Sequence, residues 1–498
     1  MKIISKIKKL ELNTLILFLI SLLLFAFALS SKDMISIDEW VYLYHIKKIH
    51  MVEYWIPSFF YFYIYRIPLY FENWYYLSKC LNVLIWIGSN IAFYRLTRQQ
   101  VLYTHHWKYL VILVCPTIFY LKTFTPEILS VSLLLIVLGI IFSSQKTNIL
   151  YFLLPALVLT KITAAIILLP LIIVYRNDLR ILLPASVSIL CLLVAKLISS
   201  TAGSGYVEVL SLPSMSLMLS ALPHALLYFL ILYFYIPPFI NYKIPNQKQK
   251  QFINFVYLYG LILIPIVTYF TVSANYYENI NYINFHSRYL QPLLVSVLSL
   301  HILLQPVTLN ITENNVFLGL WIACNSAVVI LGIGTAIYFY IHLGSSPLHR
   351  FPMPLAAFVF ENITAILFCS ITYVLGMLLT LWRRNYAHYT ITLIVIFSFG
   401  VMSQIFSKEE LSPAYSASII FKELIPDGAA VSFKGSDIVD EIRFSFFMDE
   451  QNISNFSFEG DSNYIIFLRS DIDSCENVLS SVDMFSLCKS LSINKHLE

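Results

Sequence analysis

A long succession of apolar stretches constrains this chain more than any other feature. Of its 498 residues, 58% are hydrophobic and only 12% are charged, and the mean hydropathy is +0.75. Soluble domains of this size do not have such a composition. The sequence therefore predicts an all-α protein that crosses a membrane many times. The net charge of +4 is small and dispersed, so nucleic acid is not an expected partner.

Hydropathy places the candidate spans. The first follows a Lys-rich start without a small-residue cleavage site, which favours an uncleaved first helix over a signal peptide. We predict thirteen spans near 13–30, 80–96, 108–121, 127–143, 149–160, 162–175, 181–199, 217–237, 252–272, 290–308, 315–341, 359–382 and 388–405.

The fifth and sixth segments have two interpretations. "NILYFLLPALVLTKITAAIILLPLIIVYRN" is either one long helix with Lys161 in its middle or two short helices that turn there. Each half would be only ~18 Å long, against a hydrocarbon core of ~30 Å. Only the two-helix interpretation keeps the Lys and Arg clusters on the side of the Lys-rich N-terminus, as the positive-inside rule requires. This places the N-terminus in the cytoplasm and the C-terminus outside.

Three groups of ionisable residues then fall at the outer surface. Asp38 and Glu39 open the first outer loop, residues 31–79. The turn "KTFTPEILS" carries Lys122 and Glu127, with Lys161 at membrane depth beyond it, and "INFHSRYLQPLL" carries His286, Arg288 and Tyr289. Taken one at a time, these residues have ordinary explanations: a cation anchors the chain at the interface, an acid stabilises the start of a helix, or a lysine snorkels to the surface. Together they set carboxylates beside cations at one depth, as glycosyl transfer from a lipid phosphate requires.

An aromatic segment follows the first acidic pair. About half of the residues from Val52 to Tyr76 are Phe, Tyr or Trp, and Pro57, Pro68 and Arg66 argue against a spanning helix. We expect one or two helices lying flat on the outer leaflet, either as an aromatic belt or as a platform for a lipid-borne substrate.

The tail, residues 407–498, alternates short apolar runs with Asp, Gly and Ser, which predicts a small α/β domain. Cys475 and Cys488 both lie in it, and their spacing leaves open whether they form a disulfide. No metal-ligand spacing or Gly-rich phosphate loop occurs. No cofactor is therefore expected, and a divalent metal is not indicated.

This ordered set of motifs resembles the GT-C superfamily of membrane glycosyltransferases, in particular the bacterial branch of lipid A aminoarabinose transferases and protein O-mannosyltransferases. The resemblance rests on "IDEW" and the aromatic segment behind it, "TFTPEILSVSLLLIVLGI", "LVLTKITAAIILLPLII" and "HSRYLQPLL", and it covers about 16–406. It implies a transmembrane catalytic domain over 1–406 and an extracytoplasmic domain over 407–498.

The resemblance also implies roles. Asp38 would be the general base that activates the acceptor, with Glu39 its neighbour and Glu127 the second-loop acid. Arg288 and Tyr289 would hold the phosphate of a polyprenyl-phosphate sugar. Three nearby basic residues would assist them: Lys161, Lys122 and His286. The acceptor would be a glycan, a lipid or a protein, and the location the plasma (inner) membrane. "TPE" departs from many relatives, which have Arg or Tyr before the acid.

Two other functions fit the same architecture. A polysaccharide polymerase or ligase uses lipid-diphosphate oligosaccharides, but such proteins rely on a large Arg-rich outer loop, and few arginines lie in the loops here. A transporter or flippase predicts internal repeats and charges near the midplane. No repeat is visible, and the polar residues gather at one face.

Overall fold

The computed structural model describes the N-terminal two fifths of the chain most fully. The described residues are 17–30, 37–47, 58–100, 108–198, 241–242, 247–277, 287–304, 306–307, 413–426, 429, 431–434, 444, 464–468, 477–482 and 484–489. Within them the protein is mostly helical, with a small sheet near the C-terminus. This agrees with the predicted helical protein and its mixed tail.

The helices run in chain order as α1 to α12. Their bounds are α1 Leu17–Leu29, α2 Ile37–Lys47, α3 Phe59–Tyr65, α4 Trp74–Thr97, α5 Lys108–Leu113, α6 Glu127–Ser143, α7 Leu150–Thr160, α8 Leu168–Val174, α9 Leu179–Ile198, α10 Gln247–Tyr277, α11 Gln291–Leu303 and α12 Pro413–Leu424. Short 3₁₀ helices lie at Pro68–Tyr70, Pro116–Lys122, Thr147–Ile149, Ile162–Ile167 and Ser287–Leu290.

Helix α6 lies at the centre of the helical body. Every residue of α6 except Ile136 is buried, as expected for a helix that is apolar on all sides. It packs closely along α4, and Gly139 allows the two helices to come close because it has no side chain. A Cβ at Gly139 would lie 3.2 Å from side-chain atoms of Phe93 and Leu96. The apolar segment 127–143 is thus a core element around which the other helices pack.

The helical body has two distinct ends. We call the end with Glu39, Glu127 and Lys161 the carboxylate end. At the other, which we call the basic end, Gln100 beyond α4 donates to the Ser143 carbonyl at the end of α6, 2.6 Å away. Arginines and lysines at the helix termini and loops of this second end include Arg95, Arg98, Lys146, Arg176, Arg180 and Lys248.

The chain reverses direction at Lys161. This residue has extended backbone angles, φ −153° and ψ 121°, and separates α7 from the 3₁₀ helix before α8. Beyond α8, Tyr175 contacts Phe255 of α10, and Phe252 one turn earlier contacts Phe142 near the end of α6. Helix α7 therefore runs up to the carboxylate end, and α8 returns to the basic end. The two-helix interpretation of this segment is confirmed.

Short strands close the α10–α11 pair at the basic end. The strand β1 (Asn241–Tyr242) precedes α10, and β2 (Pro306–Val307) follows α11; the two pair antiparallel. Since Tyr289, before α11, lies beside Lys161, α11 descends from the carboxylate end. Helices α10 and α11 therefore run in opposite directions.

Among the described residues, two helices are long and apolar enough to cross a membrane, over Leu179–Ile198 and Gln247–Tyr269. Large apolar side chains on α9 face outward, including Leu190 and Leu197, the latter 82% exposed. Shorter apolar helices occur at Leu17–Leu29, Glu127–Ser143, Thr147–Thr160, Ile162–Val174 and Gln291–Leu300. The predicted spans 217–237, 315–341, 359–382 and 388–405 lie outside the described residues.

Two expected boundaries differ from the structure. The first outer loop was expected to extend to residue 79, but α4 already begins at Trp74 because aromatic side chains there pack into the body. The segment 108–121 was expected to be one span, but its helix ends at Leu113 and a 3₁₀ helix starts at Pro116. Proline has no backbone N–H to continue the α-helical hydrogen bonds.

In the described part of the tail, α12 packs on a four-stranded sheet. The strands are β3 Val431–Lys434, β4 Tyr464–Leu468, β5 Val478–Val482 and β6 Phe485–Lys489, in spatial order β3-β4-β6-β5. Strands β3 and β4 are parallel, and the other pairs are antiparallel. Aromatic rings form the core between helix and sheet, with Phe444 stacked on Phe421 and edge-on to Phe485. The boundary at residue 407 remains a prediction.

Cys488 on β6 is disulfide-bonded, whereas Cys475 lies outside the described residues. We expect these two cysteines to be partners. Non-reducing peptide mapping should then recover one cross-linked peptide pair containing both. Cys475→Ser should lower the stability of the tail by about 3 kcal/mol, the amount expected for a loop of about 15 residues. Recovery of Cys488 joined to any other cysteine would contradict this pairing.

Candidate functional site

The site is organised by the turn from Thr123 to Pro126, between the second 3₁₀ helix of this region and α6. The Thr123 hydroxyl bonds the Tyr120 carbonyl at 3.1 Å and the Thr125 hydroxyl at 2.6 Å. Pro126 then caps α6, and Glu127 occupies its first turn, where the positive end of the helix dipole favours a carboxylate. Short polar side chains thus fix the backbone that presents Glu127.

Asn82 of α4 forms hydrogen bonds that hold the same turn in place. Its amide nitrogen donates to the Thr123 carbonyl at 2.9 Å and lies 3.4 Å from the carbonyls of Tyr120 and Leu121. Its amide oxygen accepts a hydrogen bond from the hydroxyl of Tyr65 in α3. Asn82 is fully buried, so one side chain joins α4, the turn and the aromatic segment.

Glu39 connects the first loop to this turn. Its carboxylate is fully buried and accepts hydrogen bonds from the Phe124 backbone N–H at 2.7 Å and the Tyr75 hydroxyl at 3.0 Å. Charge-assisted bonds of this kind are among the stronger ones in proteins. Asp38 precedes Glu39 in the first turn of α2, and its side chain lies outside the described part of the structure.

Glu127 and Lys161 form a buried ion pair. The Lys161 Nζ lies 2.7 Å from Glu127 Oε1, and both side chains are almost inaccessible. The same ammonium lies 4.8 Å from the centre of the Tyr289 ring, a cation–π distance. The break between α7 and α8 places Lys161 here. Residues far apart in sequence therefore meet at one point, with opposite charges paired as a buried site requires.

An aromatic cluster covers this polar centre. Tyr61 and Tyr65 of α3 stack on each other with ring centres 4.2 Å apart, and both contact Phe124 edge-on. Burial, the neighbouring Tyr65 and the charges of Glu127 and Glu39 together raise the pKa of Tyr61 well above its usual value. Tyr61 therefore keeps its proton at neutral pH and acts as a hydrogen-bond donor.

The predicted site residues divide into three groups. The structure brings Glu39, Glu127, Lys161 and Tyr289 together. It places Lys122 elsewhere at this end, with its Nζ 4.5 Å from the Phe27 ring of α1. The Arg288 side chain and His286 lie outside the description, although the 3₁₀ helix Ser287–Leu290 sets the Arg288 backbone next to Tyr289.

Sequence reasoning missed the polar side chains of α4. Ser78, Lys79 and Asn82 are all buried, and the Lys79 Nζ lies 3.9 Å from the centre of the Tyr75 ring. A signal was available. Polar residues three and four positions apart in an otherwise apolar helix share a face, and such residues at membrane depth are functional candidates.

Comparisons with protein-family models, curated proteins and solved structures found no match. Within the described ranges, no three His, Cys, Asp or Glu side chains are grouped to hold a metal ion.

Proposed function

We propose that this chain is a membrane glycosyltransferase of the GT-C type. It transfers a sugar from a polyprenyl-phosphate donor to a hydroxyl of a glycan, lipid or protein acceptor on the extracytoplasmic face. In this proposal the chain crosses the inner membrane thirteen times, with its N-terminus in the cytoplasm and residues 407–498 outside.

The two unlike ends of the helical body support the topology. The arginines and lysines of the basic end are exposed, as expected for the end that the positive-inside rule places in the cytoplasm, whereas Lys79, Lys122 and Lys161 at the other end are buried. The ion pair and the aromatic cluster lie at the other end. The disulfide at Cys488 agrees with an oxidising compartment for the tail.

One observation carries the chemical proposal: Lys161, paired with Glu127, lies against Tyr289 beside the loop anchored by Glu39. Glu127 fixes the position of the Lys161 ammonium, which then stabilises negative charge on a lipid phosphate together with Arg288 and Tyr289. Glu39 holds the start of α2 against the turn and so positions Asp38.

The reaction is a single displacement at the anomeric carbon. Asp38 takes the proton of the acceptor hydroxyl as its oxygen bonds to that carbon. The bond from the carbon to the phosphate oxygen breaks, and its electron pair stays on the phosphate. Because the two oxygens lie on opposite faces of the sugar, the configuration inverts. Asp38 in the first loop acts on the face of the sugar that the acceptor attacks, and the Lys161–Tyr289 contact lies on the face from which the phosphate leaves.

The test is a comparison of surface glycans by mass spectrometry in a strain lacking the gene, with and without the wild-type chain supplied from a plasmid. Wild type should restore a mass increment the size of one sugar. Restoration of whole repeat units would instead indicate a polymerase or ligase. Identical glycans with and without the chain would contradict the proposal.

A further inference from the structure

Several buried polar side-chain atoms make no hydrogen bond within the described residues, including the hydroxyls of Ser130 and Ser132 in α6. Two of these atoms are next to the turn Thr123–Pro126. They are the Tyr61 hydroxyl and Glu127 Oε2, on side chains that are 0% and 2% exposed. Buried polar groups are nearly always paired, so each such exception requires a reason. The other oxygen of Glu127 is occupied by Lys161.

The two atoms belong to one small region. The Tyr61 ring packs on Phe124, with centres 6.1 Å apart, and Phe124 lies three residues before Glu127 at the end of the fixed turn. Through Phe124, the Tyr61 ring thus packs against the turn that leads into Glu127. A phenol, which can donate, and a carboxylate oxygen, which can accept, belong to the same turn region.

We propose that Tyr61 and Glu127 bind one hydroxyl group of a sugar substrate. Tyr61 donates to the hydroxyl oxygen, and Glu127 Oε2 accepts the hydroxyl proton. A hydroxyl group is the ligand that both accepts and donates in this way. An ionised phosphate oxygen has no proton to donate to Glu127 Oε2, and an ammonium cannot accept a bond from Tyr61. This subsite rests on the proposed function and assigns it a neutral, hydroxyl-bearing ligand group.

Access to the subsite requires a movement of α3. This seven-residue helix buries Tyr61 and Tyr65 on one face and exposes Tyr63 on the other. Because both ligand-binding atoms are covered, a sugar reaches them only when α3 shifts away from Phe124. The platform expected from the aromatic sequence would then be a movable part of the substrate site.

The test uses Tyr61→Phe, with Tyr63→Phe on the exposed face of the same helix as the matched control. Each variant loses one hydroxyl and keeps its ring. The assay uses isolated membranes that contain the wild type or a variant. Lipid extract from the deletion strain supplies the donor and its cell-envelope fraction supplies the acceptor, and the concentration of each is varied separately. Tyr61→Phe should raise the KM for one of them about tenfold, the effect of one lost hydrogen bond. The affected titration identifies whose hydroxyl is bound.

Thermal stability separates binding from structure. Tyr61→Phe removes an unpaired hydroxyl, so its melting temperature should equal or exceed that of wild type. Tyr63→Phe removes an exposed hydroxyl and should leave the melting temperature and both KM values unchanged, whereas Tyr65→Phe breaks the bond to Asn82 and should lower the melting temperature. If Tyr61→Phe has wild-type KM values for both substrates, the pair holds only a water molecule and the subsite is refuted. If wild type itself transfers no sugar, the proposed function fails first.

Discussion

We expect Asp38→Asn to lower the rate of sugar transfer by about 10²- to 10⁴-fold, the usual contribution of a general base. The amide keeps the shape of the side chain but cannot take a proton from the acceptor hydroxyl. The measurement is the rate at which the glycan mass increment appears after induction, at equal amounts of protein in the membrane.

Two further variants make this result specific. Glu39→Gln retains an oxygen that accepts from the Phe124 N–H, so it should keep far more activity than Asp38→Asn. Asp178→Asn makes the same chemical change at the basic end, where Asp178 pairs with the exposed Arg180 at 2.9 Å, and should transfer sugar at the wild-type rate. Wild-type transfer by Asp38→Asn would remove Asp38 from the mechanism.

The second large effect concerns stability. Glu127→Gln leaves the Lys161 ammonium buried without its carboxylate, which should cost about 3–5 kcal/mol of unfolding free energy. Lys161→Met leaves the opposite charge uncompensated and should cost a similar amount. Denaturant unfolding in mixed micelles, followed by tryptophan fluorescence, measures both.

The double variant Glu127→Gln with Lys161→Met tests the cause. Since it removes both charges, it should be more stable than either single variant, even though it lacks the pair. Asp178→Asn again serves as the control, because an exposed ion pair contributes little. Equal losses that simply add in the double variant would show that the two side chains do not act as a pair.

Much of the helical architecture could be predicted from the sequence. The bounds of α6 agree with the apolar run 127–143, and the reversal at Lys161 follows from segment length and the distribution of basic residues. Both signals are local or depend on composition. The thirteen membrane spans remain predictions, since two of the described helices are long and apolar enough to cross a membrane.

The internal contacts of the site could not be predicted. Glu39 is bonded to a backbone N–H 85 positions later, and no side-chain pattern identifies a backbone partner. Among the many tyrosines of the first loop, Tyr65 has a hydrogen-bond acceptor and Tyr61 has none in the described structure. Only the fold distinguishes them, because the two residues lie on the same face of α3.

The sequence distance between the members of the ion pair has a consequence for biosynthesis. Glu127 and Lys161 leave the ribosome close together, 34 positions apart, whereas Tyr289 follows roughly 130 residues later. If the chain is inserted as proposed, Lys161 is neutralised as soon as α6 and α7 pair. The bilayer then never holds an isolated charge while the segment with Tyr289 is still being made.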